Sequence, residues 1–141
     1  TEITNKEFNV LEKENNFTRP EKMLIKNTDY TCIYGTPGHH EWTIIDGNKR
    51  YTVECKKQDG SGSVDEKFPY ITRTFEDSSL EDIFIVVYYG DHFTKSSRGK
   101  ASIEWLINEA DRLNKKHAPR KMMVLDVEGF QNFSRQKWGN E

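Results

Sequence analysis

Charge of one sign is the first thing this chain lacks. It holds 21 lysines and arginines against 23 aspartates and glutamates, a formal net charge of -2. That excludes a whole-surface basic field of the kind that holds polyanions without a site, though not a local basic patch. Cysteine is nearly absent. Cys32 and Cys55 are the only two, and neither belongs to a CxxC pair. A disulfide framework and a cysteine-built zinc site are therefore not expected, and both residues read as free thiols. Long apolar runs are missing too: no stretch approaches the ~20 residues of a membrane span. No secretory signal is visible, so the expectation is a cytoplasmic protein with no membrane partner. A glycine-rich phosphate loop of the GxxxxGK[ST] type is also lacking. This counts against a small nucleotide-binding or signalling domain built on Asp91 and Asp126.

What is present suffices for one fold. The chain has 141 residues, 34% of them hydrophobic and 12% aromatic, enough for one domain with a core and too few for two ordinary ones. We read residues 1–141 as a single domain, with a helix and connector over 1–29 and the core over 30–135. Thr4 and Glu7 form a capping-box pattern ahead of a weak apolar stripe at Phe8, Val10 and Leu11. "FTRPEKMLIKN" reads as a connector and "YTCIYG" (30–35) as a strand ended by the turn "GTPGHH". "EWTII" and "RYTVECKKQ" flank "DGNK", the clearest hairpin signal. Ser63 and Glu66 suggest a second capping box, opening a helix through "VDEKFPYITRTF", with Pro69 kinking it or starting its next segment. "DIFIVVYYG" (82–90) suits a strand buried on both faces. "KASIEWLINEADRLNKK" is the best helix, with Ile103, Leu106, Ile107, Ala110 and Leu113 on one side. "KMMVLDV" is another buried strand, with Asp126 as a cap at its end, and "EGFQNFSRQKW" a final helix. The order α-β-β-β-α-β-α-β-α predicts an α/β fold: a mixed central sheet flanked by helices.

The hairpin carries the chemistry. A turn centred between Gly47 and Asn48 pairs residues whose numbers sum to about 95. Ile45 then faces Arg50, Thr43 faces Thr52, and Glu41 faces Glu54, with the two acidic Cβ atoms roughly 5 Å apart. Trp42, Ile44, Tyr51, Val53 and Cys55 take the opposite, apolar side. Like charges opposed on one face repel, so something must compensate. Lys56 is in phase two residues on. A divalent cation bridging the carboxylates would compensate better, and Mg²⁺ is the ion that favours a few carboxylates plus waters and phosphate oxygens. It would polarise a phosphodiester and help generate hydroxide. Lys56 would orient or deprotonate the water or neutralise developing charge, and Gln58, also in phase, would hold water or phosphate. On this reading Glu54→Ala should leave the metal-free fold at least as stable. A solvated strand face would produce the same E-x-K spacing.

Taken in order, "HHEWTII" and "RYTVECKKQDGSGSVDEKFPY" resemble the core of the PD-(D/E)XK nuclease superfamily. The likeness is to small prokaryotic and phage members with E-x-K-x-Q and GSVDEK-P motifs. "FIVVYYGD", "ASIEWL" and "KMMVLDVEGFQNF" resemble the downstream strand, helix and closing strand-helix of that group. The resemblance implies a restriction-endonuclease-like α/β core with an αβββαβ order. It implies a metal-dependent DNA endonuclease using Mg²⁺, with Mn²⁺ as a substitute, in a bacterial cell or a phage-infected host. It assigns Glu41 to the place of the usual Asp, Glu54 as the second metal carboxylate, the Cys55 backbone carbonyl as a metal ligand and Lys56 as the catalytic lysine. Gln58 takes an accessory position, and Glu7 or Glu12 would supply a first-helix acid. Glu in place of Asp at position 41 departs from the commonest pattern.

His39 and His40 read as loop residues, with contact to phosphate or metal as the alternative; a zinc site would need more convergent ligands. His39, His40, Ser63 and Lys67 are the candidate nucleic-acid contacts, although Asp65, Glu66 and Lys67 also suit helix initiation. The expected partner is DNA, double-stranded or branched, with a homodimer or a fused recognition module completing so short a chain. The competing expectation is a catalytically silent nuclease-fold protein that binds nucleic acid or serves as an assembly subunit.

Overall fold

The computed structural model describes residues 2–7, 22–77 and 81–139. Six strands form one sheet in the order of the chain: β1 (Glu2–Ile3), β2 (Lys22–Thr31), β3 (Pro37–Asp46), β4 (Lys49–Lys57), β5 (Ile83–Tyr89) and β6 (Lys121–Asp126). β2, β3 and β4 are antiparallel neighbours, while β1 runs parallel to β2, and β5 and β6 run parallel to β4. Parallel neighbours need crossovers, and helices supply them. A 3₁₀ turn (Val64–Lys67) and α1 (Phe68–Asp77) join β4 to β5; α2 (Asp91–Lys95) and α3 (Ser97–His117) join β5 to β6; α4 (Val127–Trp138) follows β6. The mixed sheet flanked by helices is the expected architecture.

The alternation of β5 explains the two layers. Phe84 and Val86 face a core made with Phe68, Ile71 and Phe75 of α1, Phe93 of α2, and Ile103, Leu106, Ala110 and Leu113 of α3. Ile85 and Val87 face the other side, with Tyr51 and Val53 of β4, under Phe130, Phe133 and Trp138 of α4. A strand sandwiched this way must be apolar throughout. The helical stripe of α3 is as expected except at Ile107, which is 41% exposed.

The β3–β4 hairpin has the expected register. Asp46 pairs with Lys49, Ile45 with Arg50, Thr43 with Thr52 and Trp42 with Val53. Of the two loop residues, Gly47, the first, has positive φ, which is where a II′ turn requires glycine. Trp42, Ile44, Tyr51, Val53 and Cys55 lie together on the α4 side, also as expected.

Three readings are corrected. "FTRPEKMLIKN" is not a connector in its described part, because β2 already begins at Lys22, and the strand expected over 30–35 ends at Thr31. The capping box at Ser63 does not form. Ser63 precedes the 3₁₀ turn without a side-chain cap, its backbone carbonyl accepts from Glu66 N, and Asp65 is turned inward instead. His39 and His40 are strand residues of β3, not loop residues. The capping box at Thr4 does form: Thr4 N donates to Glu7 Oε2 at 2.8 Å and Glu7 N to Thr4 Oγ1 at 3.1 Å. Phe8, Val10, Leu11 and Glu12 lie outside the described residues.

Candidate active site

The functional side chains gather where β3 and β4 part. Their ladder is paired as far as Trp42 and Val53, and the next residues outward are Glu41 and Glu54. Lys56 Nζ lies 3.8 Å from Glu41 Oε1 and 3.5 Å from Glu54 Oε2. Both carboxylates expected to hold an ion thus converge on one cationic group. Glu54 is mostly covered, its side chain 12% exposed, whereas that of Glu41 is 42% exposed and open to solvent. Burial and then the charge of Glu54 push the Glu41 carboxyl above its usual range, against the pull of Lys56 and a hydrogen bond from the Cys55 backbone. In an extended residue N–H and C=O leave the same edge of the strand, so the Cys55 carbonyl faces this gap as well.

A kink in the neighbouring strand shapes the site. Asn27 has φ of +58°, and the β2–β3 pairing passes from Lys26–Trp42 to Thr28–His40 around it. Buried positions therefore step by three on both strands: Ile25 to Thr28, and His40 to Thr43. Strict alternation would put His40 on the α4 side with Trp42. The kink turns it into the core beside Glu54, a placement the loop reading of "GTPGHH" did not offer. His40 Nδ1 lies 3.4 Å from Glu54 Oε1, and Nε2 lies 3.1 Å from Glu81 Oε1. Burial works to lower the His40 pKa, but its contacts with Glu54 and Glu81 outweigh burial and raise it, favouring the imidazolium. Glu54 Oε1 also accepts from Glu41 N at 3.2 Å. Glu54 is thus bound on several sides, so removing it takes away partners of His40 and Glu41 N as well as a repelling charge.

Other expected site residues fall elsewhere. Gln58 is 6% exposed and clamps the glycine loop: its Nε2 donates to Gly60 O at 3.0 Å and its Oε1 accepts from Val64 N at 3.1 Å. Both ends of the amide are thus engaged by the loop. His40 is inward-facing, so it does not offer a surface to nucleic acid. His39 is exposed and pairs with Asp29 at 3.1 Å. Ser63 and Lys67 are exposed on the loop and turn after β4. Glu7 lines a cleft of about 850 Å³ with Lys26, Asn27 and His39, beside the kink opposite Glu41. Asp126 caps α4 by accepting from Gly129 N at 2.7 Å, as expected, while Asp91 pairs with Lys95 on α2. Arg98 is held by Asp65 and Glu66. Both cysteines are free thiols.

The donor set fits a hard divalent ion. Two carboxylates and a strand carbonyl are oxygen ligands, and Mg²⁺ needs only a few of these because it keeps several waters. Lys56 already marks the space between the carboxylates as favourable for a cation. Among the described residues no three His, Cys, Asp or Glu side chains form a closed cage, which is unlike a structural zinc site.

The structure is thus a mixed α/β domain that gathers two carboxylates and a lysine where its hairpin opens. The chain belongs to the PD-(D/E)XK nuclease superfamily: the family model described as PD-(D/E)XK nuclease superfamily domain matches residues 2–138. Membership supports nuclease activity with a nucleic acid as substrate, and such nucleases generally use divalent metals. Neither the curated proteins nor the solved structures contain a match to this chain. No helix among the described residues is long and apolar enough to cross a membrane.

Proposed function

We propose that this protein is a Mg²⁺-dependent endonuclease that hydrolyses phosphodiester bonds in double-stranded or branched DNA. The observation that carries the reading is the placement of Lys56 between Glu41 and Glu54 where β3 and β4 part. Glu41, Glu54 and the Cys55 carbonyl would hold the ion. When bound, a divalent ion neutralises phosphate charge and acidifies a coordinated water. Lys56 orients the attacking water or stabilises charge that develops on the phosphoryl oxygens. Glu41, the more open carboxylate, faces the substrate side. That openness suits an internal phosphodiester, which must approach from outside with strand continuing on both sides. Mn²⁺ should substitute for Mg²⁺, since it takes the same oxygen donors. A homodimer or a fused module would add the recognition surface that 141 residues leave little room for.

The test is cleavage of supercoiled plasmid and of a branched duplex with Mg²⁺ or Mn²⁺, beside EDTA and Glu54→Gln controls. Nicking that needs the ion and is lost in the variant supports the reading. Full cleavage in EDTA would refute the metal mechanism. Metal binding with no cleavage of DNA or RNA would assign the protein to the silent binding or assembly class.

A further inference from the structure

His40 is buried against two carboxylates and unused by the chemistry described so far. Its side chain is 1% exposed, and polar rings buried so fully need partners. Its ring is flanked by two carboxylates: Nδ1 is hydrogen-bonded to Glu54 Oε1 at 3.4 Å, and Nε2 lies 3.1 Å from Glu81 Oε1 as an ion-pair contact. The ring is also fixed out of plane. Tyr30 stacks on it at 4.1 Å between centroids and 10° between planes, and Phe84 meets it edge-on at 5.7 Å. Gly38 permits the stack, because a Cβ there would come within 2.7 Å of the Tyr30 ring. Glu81, 2% exposed, closes the far side. The histidine therefore has little freedom to turn.

The consequence falls on Glu54. Its Oε1 is taken by the His40 ring and by Glu41 N, while its Oε2 is the oxygen turned toward Lys56. A carboxylate held through one oxygen presents the other at a fixed angle. We propose that His40 is a positioning residue for Glu54: it holds Oε1 so that Oε2 is delivered to the catalytic ion, and Glu81 with the Tyr30 stack holds His40. This rests on the reading of Glu54 as an ion-holding carboxylate. Partners behind a metal ligand orient it, and losing them typically costs about 10- to 100-fold in metal affinity or activity.

Two amides separate positioning from packing. The Asn amide nitrogen reaches the place of Nδ1, beside Glu54, whereas the Gln amide nitrogen reaches the place of Nε2, beside Glu81. His40→Asn should keep Mn²⁺ affinity and the single-turnover rate within a few-fold of the unaltered protein. His40→Gln and His40→Ala should lose about 10- to 100-fold in affinity measured by calorimetry, although Asn and Gln lower the metal-free Tm by similar amounts. Asn and Gln variants alike in affinity and rate, or losses that follow Tm across all three, would overturn the proposal. If the variants do not fold, the unaltered protein decides. Mg²⁺ addition should shift the His40 Nδ1 resonance in ¹⁵N spectra and leave His92 and His117 in place. Saturation with no shift at His40 would overturn it. The unaltered protein binding no ion at all would overturn the ion-holding reading of Glu54 and this inference with it. Ion binding and cleavage that do not distinguish Asn from Gln would overturn the inference alone.

Discussion

At the scale of single residues, Glu41, Glu54 and Lys56 carry different costs. Replacing either glutamate with Gln should weaken Mg²⁺ or Mn²⁺ binding, because a neutral amide loses a charged oxygen ligand. Lys56→Ala should leave ion binding intact or strengthen it, since the ammonium occupies the same space between the carboxylates. It should nevertheless slow hydrolysis by about 10²-fold or more. Calorimetric ion titration of the three variants, paired with single-turnover cleavage, checks this. An equal loss of ion binding in Lys56→Ala would contradict it. Stability follows another rule. Glu54→Ala leaves the buried His40 ring without one of its two carboxylates and Glu41 N without its acceptor. The metal-free variant should lose about 1–3 kcal/mol, read by urea unfolding in EDTA.

At the scale of elements, the link from β4 into α1 is tied at two points. Gln58 closes the loop through Gly60 and Val64. Gln58→Ala should cost about 1–2 kcal/mol and speed amide exchange at Val64. Unchanged exchange at Val64 would mean the loop does not need the clamp. Asp65 closes the 3₁₀ turn onto α2 and α3 through His92 Nε2 at 2.8 Å and Arg98 Nε at 2.9 Å. The Arg98 hydrogen bond, with the His92 contact, holds the Asp65 carboxyl below its ordinary 3.8, against burial. A depressed folded pKa gives stability that is present above the unfolded value and lost as pH falls through the folded one. Asp65→Asn should therefore cost about 2 kcal/mol at pH 7, with the gap to the unaltered protein narrowing below the ordinary carboxylate range. Urea unfolding at pH 7 and in acid measures both, and a gap that widens in acid would reverse the assignment.

At the scale of the whole molecule, α4 is the cover of one sheet face. Trp138 Nε1 donates to Asp46 Oδ2 at 3.0 Å, and its ring meets Tyr51 edge-on at 5.1 Å and Phe133 at 5.7 Å. The hairpin turn and the last helix are thus joined across 92 residues. Trp138→Ala removes both the ring and the hydrogen bond and should cost about 3–5 kcal/mol. A thermal scan would show the loss as a lowered Tm, and cleavage at low temperature should survive, because this face lies opposite Glu54. Asp46 opens the "DGNK" turn, and its tie to Trp138 is a long-range contact that no local signal announces.

The sequence by itself determined the pieces whose cause is local. The "DGNK" turn set the hairpin register, since a two-residue loop leaves one pairing for Thr43 with Thr52 and Ile45 with Arg50. The continuous apolar run of β5 and the stripe of α3 declared their burial, because helix and strand periods are written in neighbouring residues. Glu54 and Lys56 were in phase for the same reason. Only the tertiary structure decided the rest. β2 was illegible because its order comes from pairing with β3, and its kink at Asn27 has no apolar pattern to announce it. That kink brings His40 inward to Glu54, and Glu81 arrives from 41 positions further along the chain to close the pair. Charges buried together depend on where the backbone carries them, and local periodicity cannot encode a contact between strands that bend in step.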